Sequence, residues 1–262
     1  MRTGSGDGEP PCTLTILGSG GWMPTLGRQT CCAVVRRGSE AMLIDAGTGL
    51  AHLPHQPGLL EGVENLAIVL THFHADHVVG LCYSGGLSLP APPTIFGPGR
   101  ALYGAATETI LSALVGHPTT HASLAELWPD VRDLPSLTPE VCGFSLELRV
   151  QHLHTAPTIA IRIEDMAAYI TDTGFDPDNG AFAAGVDLVV HEAWWHSGHL
   201  DSPETHSSGR DAGRTAAAAG ASRLALMHLH PTGDHQAVLV EARAEHTEAR
   251  LAADVETRYV LA

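Results

Sequence analysis

Leu66-Ala67-Ile68-Val69-Leu70 runs directly into Thr71-His72-Phe73-His74-Ala75-Asp76-His77, and the reading of this stretch decides the fold. Five consecutive apolar residues predict a buried strand. The H-x-H-x-D-H cluster lies at its C-terminal end, where a strand hands over to the next element. His72 and His74, two apart, converge on one side of an extended or turning backbone. Asp76 and His77 begin the next element and point elsewhere, which suits a second ion. Neutral imidazole and carboxylate are ligands of zinc, iron and manganese.

That cluster is half of a binuclear centre, so further ligands must come from other parts of the chain. Three segments have the right form, each an apolar strand running into a His or Asp. Phe144 to Leu153 ends in His154, Ala167-Ala168-Tyr169-Ile170 runs into Thr171-Asp172-Thr173-Gly174, and Leu224-Ala225-Leu226-Met227 ends in His228. Ala41-Met42-Leu43-Ile44-Asp45-Ala46-Gly47 has the same shape, and its Asp45 is expected to orient a ligand histidine rather than bind metal. His230 stands two residues after His228 and His152 two before His154, so each could face the same way as its neighbour. His228 and His154 are preferred as the residues at the strand ends.

In order along the chain, Asp45-Ala46-Gly47, His72-x-His74-x-Asp76-His77, His154, Asp172 and His228 resemble the five motifs of the metallo-β-lactamase superfamily. The resemblance implies an α/β fold, a four-layer αββα sandwich with two divalent ions at one edge, zinc before manganese or iron. It assigns His72, His74 and His154 to the first ion and Asp76, His77 and His228 to the second, with Asp172 bridging. Such a centre can present a metal-bound hydroxide to phosphodiesters, thioesters, lactones or amides, so fold and ligands do not choose among them.

Other motifs narrow the choice. The carboxylate at Asp172 is absent from true β-lactamases of the superfamily, and the 34 residues after His228 are too few for the helical domain of glyoxalase II-like thioesterases. Leu17-Gly18-Ser19-Gly20-Gly21-Trp22-Met23-Pro24-Thr25 is similar to the opening glycine loop of the tRNase Z-like branch, and Thr94-Ile95-Phe96-Gly97-Pro98 to its strand-to-Gly-Pro turn. Val189-Val190-His191-Glu192-Ala193, followed by His206-Ser207-Ser208, is similar to that branch's His-Glu-Ala-Thr motif and its paired His-Ser-Thr. Hydrolysis of a phosphodiester needs an acid for the leaving alkoxide, and an imidazole steadied by a carboxylate suits that. His206 is therefore expected to be the general acid, Glu192 its orienting partner and His191 a supporting residue behind the ligands. Asp76 is counted with the catalytic groups as well as with the ligands.

The long glycine- and proline-rich arm with which tRNase Z grips tRNA lies between the third-motif histidine and the bridging aspartate. Here His154 and Asp172 are 18 residues apart, room for two strands and a turn. A net charge of −15 with 14 basic residues also speaks against a long polyanion, whose binding draws on clustered cations. The expectation is a phosphodiesterase acting on a small, cyclic or nucleotide phosphodiester. The alternatives are an acyl hydrolase on the same centre, a tRNA 3′-processing endonuclease, or a metal-holding scaffold without turnover.

The 262 residues, 44% of them hydrophobic, suit one globular domain over residues 12–262 preceded by a loose polar tail over 1–11. Helix-like segments at Gly209–Gly220 and Gln236–Leu251 alternate with the strands. No apolar stretch resembles a signal peptide or approaches the roughly 18 residues of a membrane span. Five cysteines without C-x-x-C spacing read as reduced thiols of a cytoplasmic protein, with Cys31 and Cys32 ordinary strand residues. The resemblance also implies a homodimer. Of the other histidines, His196, His199 and His235 are candidates to line a pocket, and His52, His55, His117, His121 and His246 read as surface. One of Trp194 and Trp195 is expected to wall the pocket and the other to be core, because strand neighbours face opposite ways.

Overall fold

The computed structural model describes residues 10–198 and 204–261; residues 1–9 of the expected tail over 1–11, and His199, lie outside the described residues. The strands are β1 (Cys12–Gly18), β2 (Cys32–Arg37), β3 (Glu40–Ile44), β4 (Asn65–Val69), β5 (Thr94–Gly97), β6 (Val131–Asp133) and β7 (Glu140–Val141). They continue with β8 (Phe144–Gln151), β9 (Thr158–Ile163), β10 (Ala167–Ile170), β11 (Leu188–Glu192), β12 (Arg223–Met227), β13 (Ala249–Leu251) and β14 (Arg258–Leu261). The helices are α1 (Ala75–Val78), α2 (Thr107–Leu111), α3 (Leu124–Leu127), α4 (Asp178–Phe182), α5 (Gly209–Ala219) and α6 (His235–Glu245).

Two seven-stranded sheets result, in the orders β14-β1-β2-β3-β4-β5-β6 and β13-β12-β11-β10-β9-β8-β7. Each is antiparallel over one half and parallel over the other: β3 to β6 run parallel in the first, β10 to β13 in the second. Alternation along the strands produces three cores. Leu14, Ile16, Met42, Val69, Phe144, Ile161, Tyr169, Val190 and Met227 fill the space between the sheets. Leu43, Ile68 and Ile95 face outward beneath 3-10 turns and short helices carrying Leu50, Leu81 and Trp128. Val189, Leu224 and Leu226 face the other way, under the alanines of α5 and the apolar side of α6. The architecture is the αββα sandwich, with the helical layer over the first sheet made of short turns.

The ends of α5 are encoded locally. Ser208 and Asp211 form a reciprocal capping box at its start, and Gly220 at φ 68° ends it. The segment expected to be helical over Gln236–Leu251 is helical only to Glu245. Residues Ala249–Leu251 instead form β13, pairing Leu224 with Ala249 and Leu226 with Leu251. The helical propensity of that stretch is overridden because the edge of β12 gains ladder hydrogen bonds from it. Between His154 and Asp172 the chain makes β9 and β10, an antiparallel pair with Ala167 opposite Ile163.

Candidate metal centre

Strand ends build this site. His72 lies just beyond β4, His74 caps α1 from outside, and Asp76 and His77 occupy its first turn. Asp45, Asp172 and His228 follow β3, β10 and β12, at φ 60°, 51° and 50°. Left-handed backbone at three non-glycine residues is strain of the kind that collects at functional sites. It turns each side chain back over the edge where the parallel strands of both sheets terminate, so residues distant in sequence meet there.

The structure brings the seven expected ligands together around Asp172. On one side are His72 Nε2 at 3.9 Å and His154 Nε2 at 3.5 Å from Asp172 Oδ1, with His74 Nδ1 3.1 Å from His154 Nε2. On the other, His77 Nε2 lies 3.1 Å from Asp172 Oδ2, and His228 Nε2 is 3.3 Å from both Asp172 Oδ1 and Asp76 Oδ2. His230, the alternative to His228, stands at the rim against Trp22 and Trp194, and His152 is exposed.

Tautomers are set from behind. Asp45, fully buried, accepts from His77 Nδ1–H at 2.8 Å and from the Thr71 N–H and hydroxyl at 2.8 and 2.9 Å. The Thr71 oxygen can then accept from His72 Nδ1–H, 3.1 Å away. His154 Nδ1–H donates to the Thr205 carbonyl at 2.9 Å. One carboxylate thus leaves the Nε2 lone pairs of both His72 and His77 facing the cluster, and the Thr205 carbonyl does the same for His154.

A cation fits this arrangement. His72 Nε2 and His77 Nε2 are buried and lack hydrogen-bond partners while facing carboxylates, a costly state that coordination relieves. His72, His74, His154 and Asp172 offer four donor atoms within 4.8 Å of one another. Burial alone would raise Asp172, but His228, His77 and His72 hold its carboxyl well below the usual range. Burial likewise opposes the charge on Asp76, which His77 and His228 outweigh. Both carboxylates are therefore ionised and ready to coordinate.

Glu192, at the end of β11, has no exposed surface and accepts from the Thr173 N–H and, at 2.9 Å, from His206 Nδ1–H. Burial works against the His206 imidazolium, but the charge and hydrogen bond of Glu192 override it and raise its pKa to about 9. His206 is stacked on Trp194 at 4.7 Å and 18°, and it stands with Asp172 and His228 at the cluster's edge. His191 is not brought to the cluster. Neighbouring strand positions face opposite ways, and its buried Nδ1–H donates to the Glu192 carbonyl at 2.7 Å.

A cavity of about 450 Å³ opens over the cluster, bordered by Trp22, Trp194, Trp195, His206 and His230. Both Trp194 and Trp195 border it, contrary to the expectation of one wall and one core residue. β11 stops at Glu192, so strand alternation does not govern the two indoles. His196 and His235 are not among its walls; His235 Nε2–H donates to the His230 carbonyl at 2.8 Å. His246, expected at the surface, is half-buried and bonds the Ala221 carbonyl. Cys31, expected to be an ordinary strand residue, instead precedes β2, and its Sγ lies within 4.8 Å of ligand atoms of His77 and His228. Burial pushes that thiol up to about 12, so it is neutral. The sequence placed Trp22 in the opening glycine loop without marking it as a wall of the site, and no signal marked Cys31 or the Thr205 carbonyl, since each reaches the site through sheet packing or a loop return.

Known proteins agree with this fold. Residues 41–229 match the family model of the β-lactamase superfamily domain. Ribonuclease Z of Mycobacterium bovis is 30% identical over 242 residues, covering 83% of this chain and 86% of its own. The metallo-β-lactamase fold protein YhfI from Bacillus subtilis superposes with a TM-score of 0.75 at 21% identity, covering 96% of this chain and 99% of that one. A diphosphatase of the PhnP family gives 0.69 at 23% identity, covering 95% and 97%. Likeness at that identity speaks for the fold, and the family match for the rest. This chain belongs to the metallo-β-lactamase superfamily, in its ribonuclease Z-like branch, and is a metal-dependent hydrolase.

Proposed function

We propose that the chain hydrolyses a small phosphodiester at a two-ion centre, with zinc the best match to its ligands. The observation that carries this reading is the His206–Glu192 pair, 2.9 Å apart, at the edge of the ligand cluster. His72, His74, His154 and Asp172 would hold one ion, and Asp76, His77, His228 and Asp172 the other. Divalent ions there would supply Lewis acidity and an activated water.

The chain's own residues do the rest. Glu192 accepts from Nδ1–H of His206 and, against burial, favours its imidazolium, whose pKa is raised to about 9, so the second ring nitrogen also carries a proton, the one a leaving alkoxide needs. Trp194, stacked on the imidazole, holds that ring in plane and limits water on one face. Asp45 keeps the lone pairs of His72 and His77 facing the cluster through Thr71 and directly. An acyl hydrolase releasing a thiolate would not use such an acid. The ribonuclease Z relatives support a phosphodiester bond.

Three features favour a small substrate over a long RNA. The interval from His154 to Asp172 holds only a loop and the β9–β10 pair. Net charge is −15, every one of the 14 basic residues is arginine, and none of the described ones borders the cavity. Phosphates of a long strand would therefore meet no cationic track at the cavity walls.

The test is a turnover panel on zinc- and manganese-loaded protein. It sets bis(p-nitrophenyl) phosphate, cyclic nucleotides and a precursor tRNA against thioesters and lactones, for wild type and His206→Ala. Phosphodiester cleavage that falls about 10²–10⁴-fold in the variant is expected. Acyl turnover indifferent to His206, without phosphodiester cleavage, overturns the reading.

A further inference from the structure

We propose that Trp22 is a stacking platform for a nucleobase, so that the substrate is a phosphodiester bearing a base; this rests on the phosphodiester reading above. The first sign is strain. Trp22 sits at φ 64°, a left-handed conformation that a bulky side chain adopts only when its surroundings impose it. Glycine would fit that backbone without cost, and two glycines precede it.

The surroundings that impose it belong to the metal site. The Trp22 N–H donates to Asp76 Oδ2 at 2.6 Å, and Gly21 N–H donates to the Leu229 carbonyl at 3.1 Å. A Cβ at Gly21 would stand 2.6 Å from His228 Cε1, so the loop is pressed against the ring of that residue. The indole is thereby fixed relative to the place where phosphorus would sit.

Its face is left open. Trp22 is 67% exposed, whereas Trp194 is 7% exposed and has one face stacked on His206. The rings nearest Trp22 are inclined to it: Trp194 at 6.3 Å and 45°, His230 at 6.1 Å and 61°. Among the described residues none lies parallel to it. This large indole at the mouth of a cavity of about 450 Å³ is an exposed apolar plane with only inclined ring neighbours among the described residues. That volume falls within the range of small-ligand pockets.

Chemistry selects the occupant. The cavity floor offers carboxylates and imidazoles suited to ions and phosphate, and among the described residues no arginine stands on the walls to bind a second anionic group. What the rim offers is π-surface, and every base has a π-face that stacks on an aromatic side chain with little regard to sequence. With the phosphodiester at the cluster, its base lies along Trp22 and the sugar spans the gap.

The test compares a nucleoside 2′,3′-cyclic phosphate with the base-free ribose 2,3-cyclic phosphate on the zinc-loaded enzyme. Wild type, Trp22→Phe, Trp22→Ala and Trp22→Gly are measured. The expected preference for the base-bearing substrate is about 5- to 150-fold in kcat/KM, largely kept by Phe and collapsing toward parity with Ala and Gly. The Gly variant should melt no lower than wild type, because glycine relieves the strain. A preference unchanged in Trp22→Ala overturns the proposal, as does an unchanged preference accompanied by loss of a dimer in light scattering, which would make Trp22 an interface residue. If neither cyclic phosphate is turned over, the phosphodiester reading is what fails. Quenching of tryptophan fluorescence by adenosine 5′-monophosphate, set against ribose 5-phosphate, then decides on Trp22 alone. Equal quenching in wild type and Trp22→Ala overturns it.

Discussion

Replacing Asp45 by Asn tests the ligand arrangement at a residue that no metal would touch. Asparagine is among the non-glycine residues that best tolerate left-handed backbone, so the φ of 60° at this position survives the change. The carboxylate now accepts from three groups: Thr71 N–H, the Thr71 hydroxyl and His77 Nδ1–H. An amide has one accepting end. If its oxygen stays with Thr71, its NH₂ meets His77 Nδ1 at the 2.8 Å now spanned by a hydrogen bond. His77 must then accept at Nδ1 and carry its proton on Nε2, the nitrogen that faces Asp172 at 3.1 Å. A protonated Nε2 cannot bind a cation. Recovering the right tautomer leaves two donors opposed in a fully buried pair, with a charged hydrogen bond worth about 1.5–3 kcal/mol lost. At about 1.4 kcal/mol per decade, the second ion should bind roughly 10- to 100-fold more weakly, the range seen when outer-shell partners of ligand histidines are removed. The first ion, reached only through Thr71 and His72, should lose less. Competitive chelator titration with calorimetry reads both affinities. Equal loss at the two sites, or none at either, would refute the tautomer argument.

Further predictions follow from the same contacts. Glu192→Gln keeps the shape of the side chain but opposes a donor to either the Thr173 N–H or His206 Nδ1–H; phosphodiester kcat should fall about 10²-fold or more while zinc stoichiometry by inductively coupled plasma analysis holds at wild-type level. Gly21→Ala places a Cβ against three atoms of the His228 ring, and should cost about 1–3 kcal/mol in urea unfolding and weaken the second ion. Tyr169→Phe removes a buried hydroxyl that has no partner in the inter-sheet core, so stability should hold or rise by about 1 kcal/mol, and a clear loss in denaturation would show the hydroxyl to be satisfied.

Sequence alone determined the order of elements and the ligand types at their ends. That was possible because the relevant signals are local: an apolar run of strand length, then a turn carrying His or Asp, repeated at Asp45, His72, His154, Asp172 and His228. Covalent adjacency fixes which residue lies at or near a strand end, whatever the sheet order, though β8 stops at Gln151 rather than Leu153 and His154 reaches the cluster from the loop beyond it. The helix-like segment Gly209–Gly220 was legible for the same reason, its ends being set locally by Ser208 with Asp211 and by Gly220. Local signals fail where pairing across space decides. The stretch after Glu245 has helical composition, yet the unpaired edge of β12 claims Ala249–Leu251 as a strand. Trp194 and Trp195 obey no strand alternation once β11 has ended.

Tertiary structure alone decided how the strand ends converge. Two half-parallel sheets stacked face to face bring residues 45, 72, 154, 172 and 228 to one edge, and left-handed turns at three of them aim the side chains inward. It also put Cys31 beneath the cluster and hung Trp22 over its mouth. None of these follows from neighbours in the chain. They depend on distances between elements that only packing of the two sheets defines.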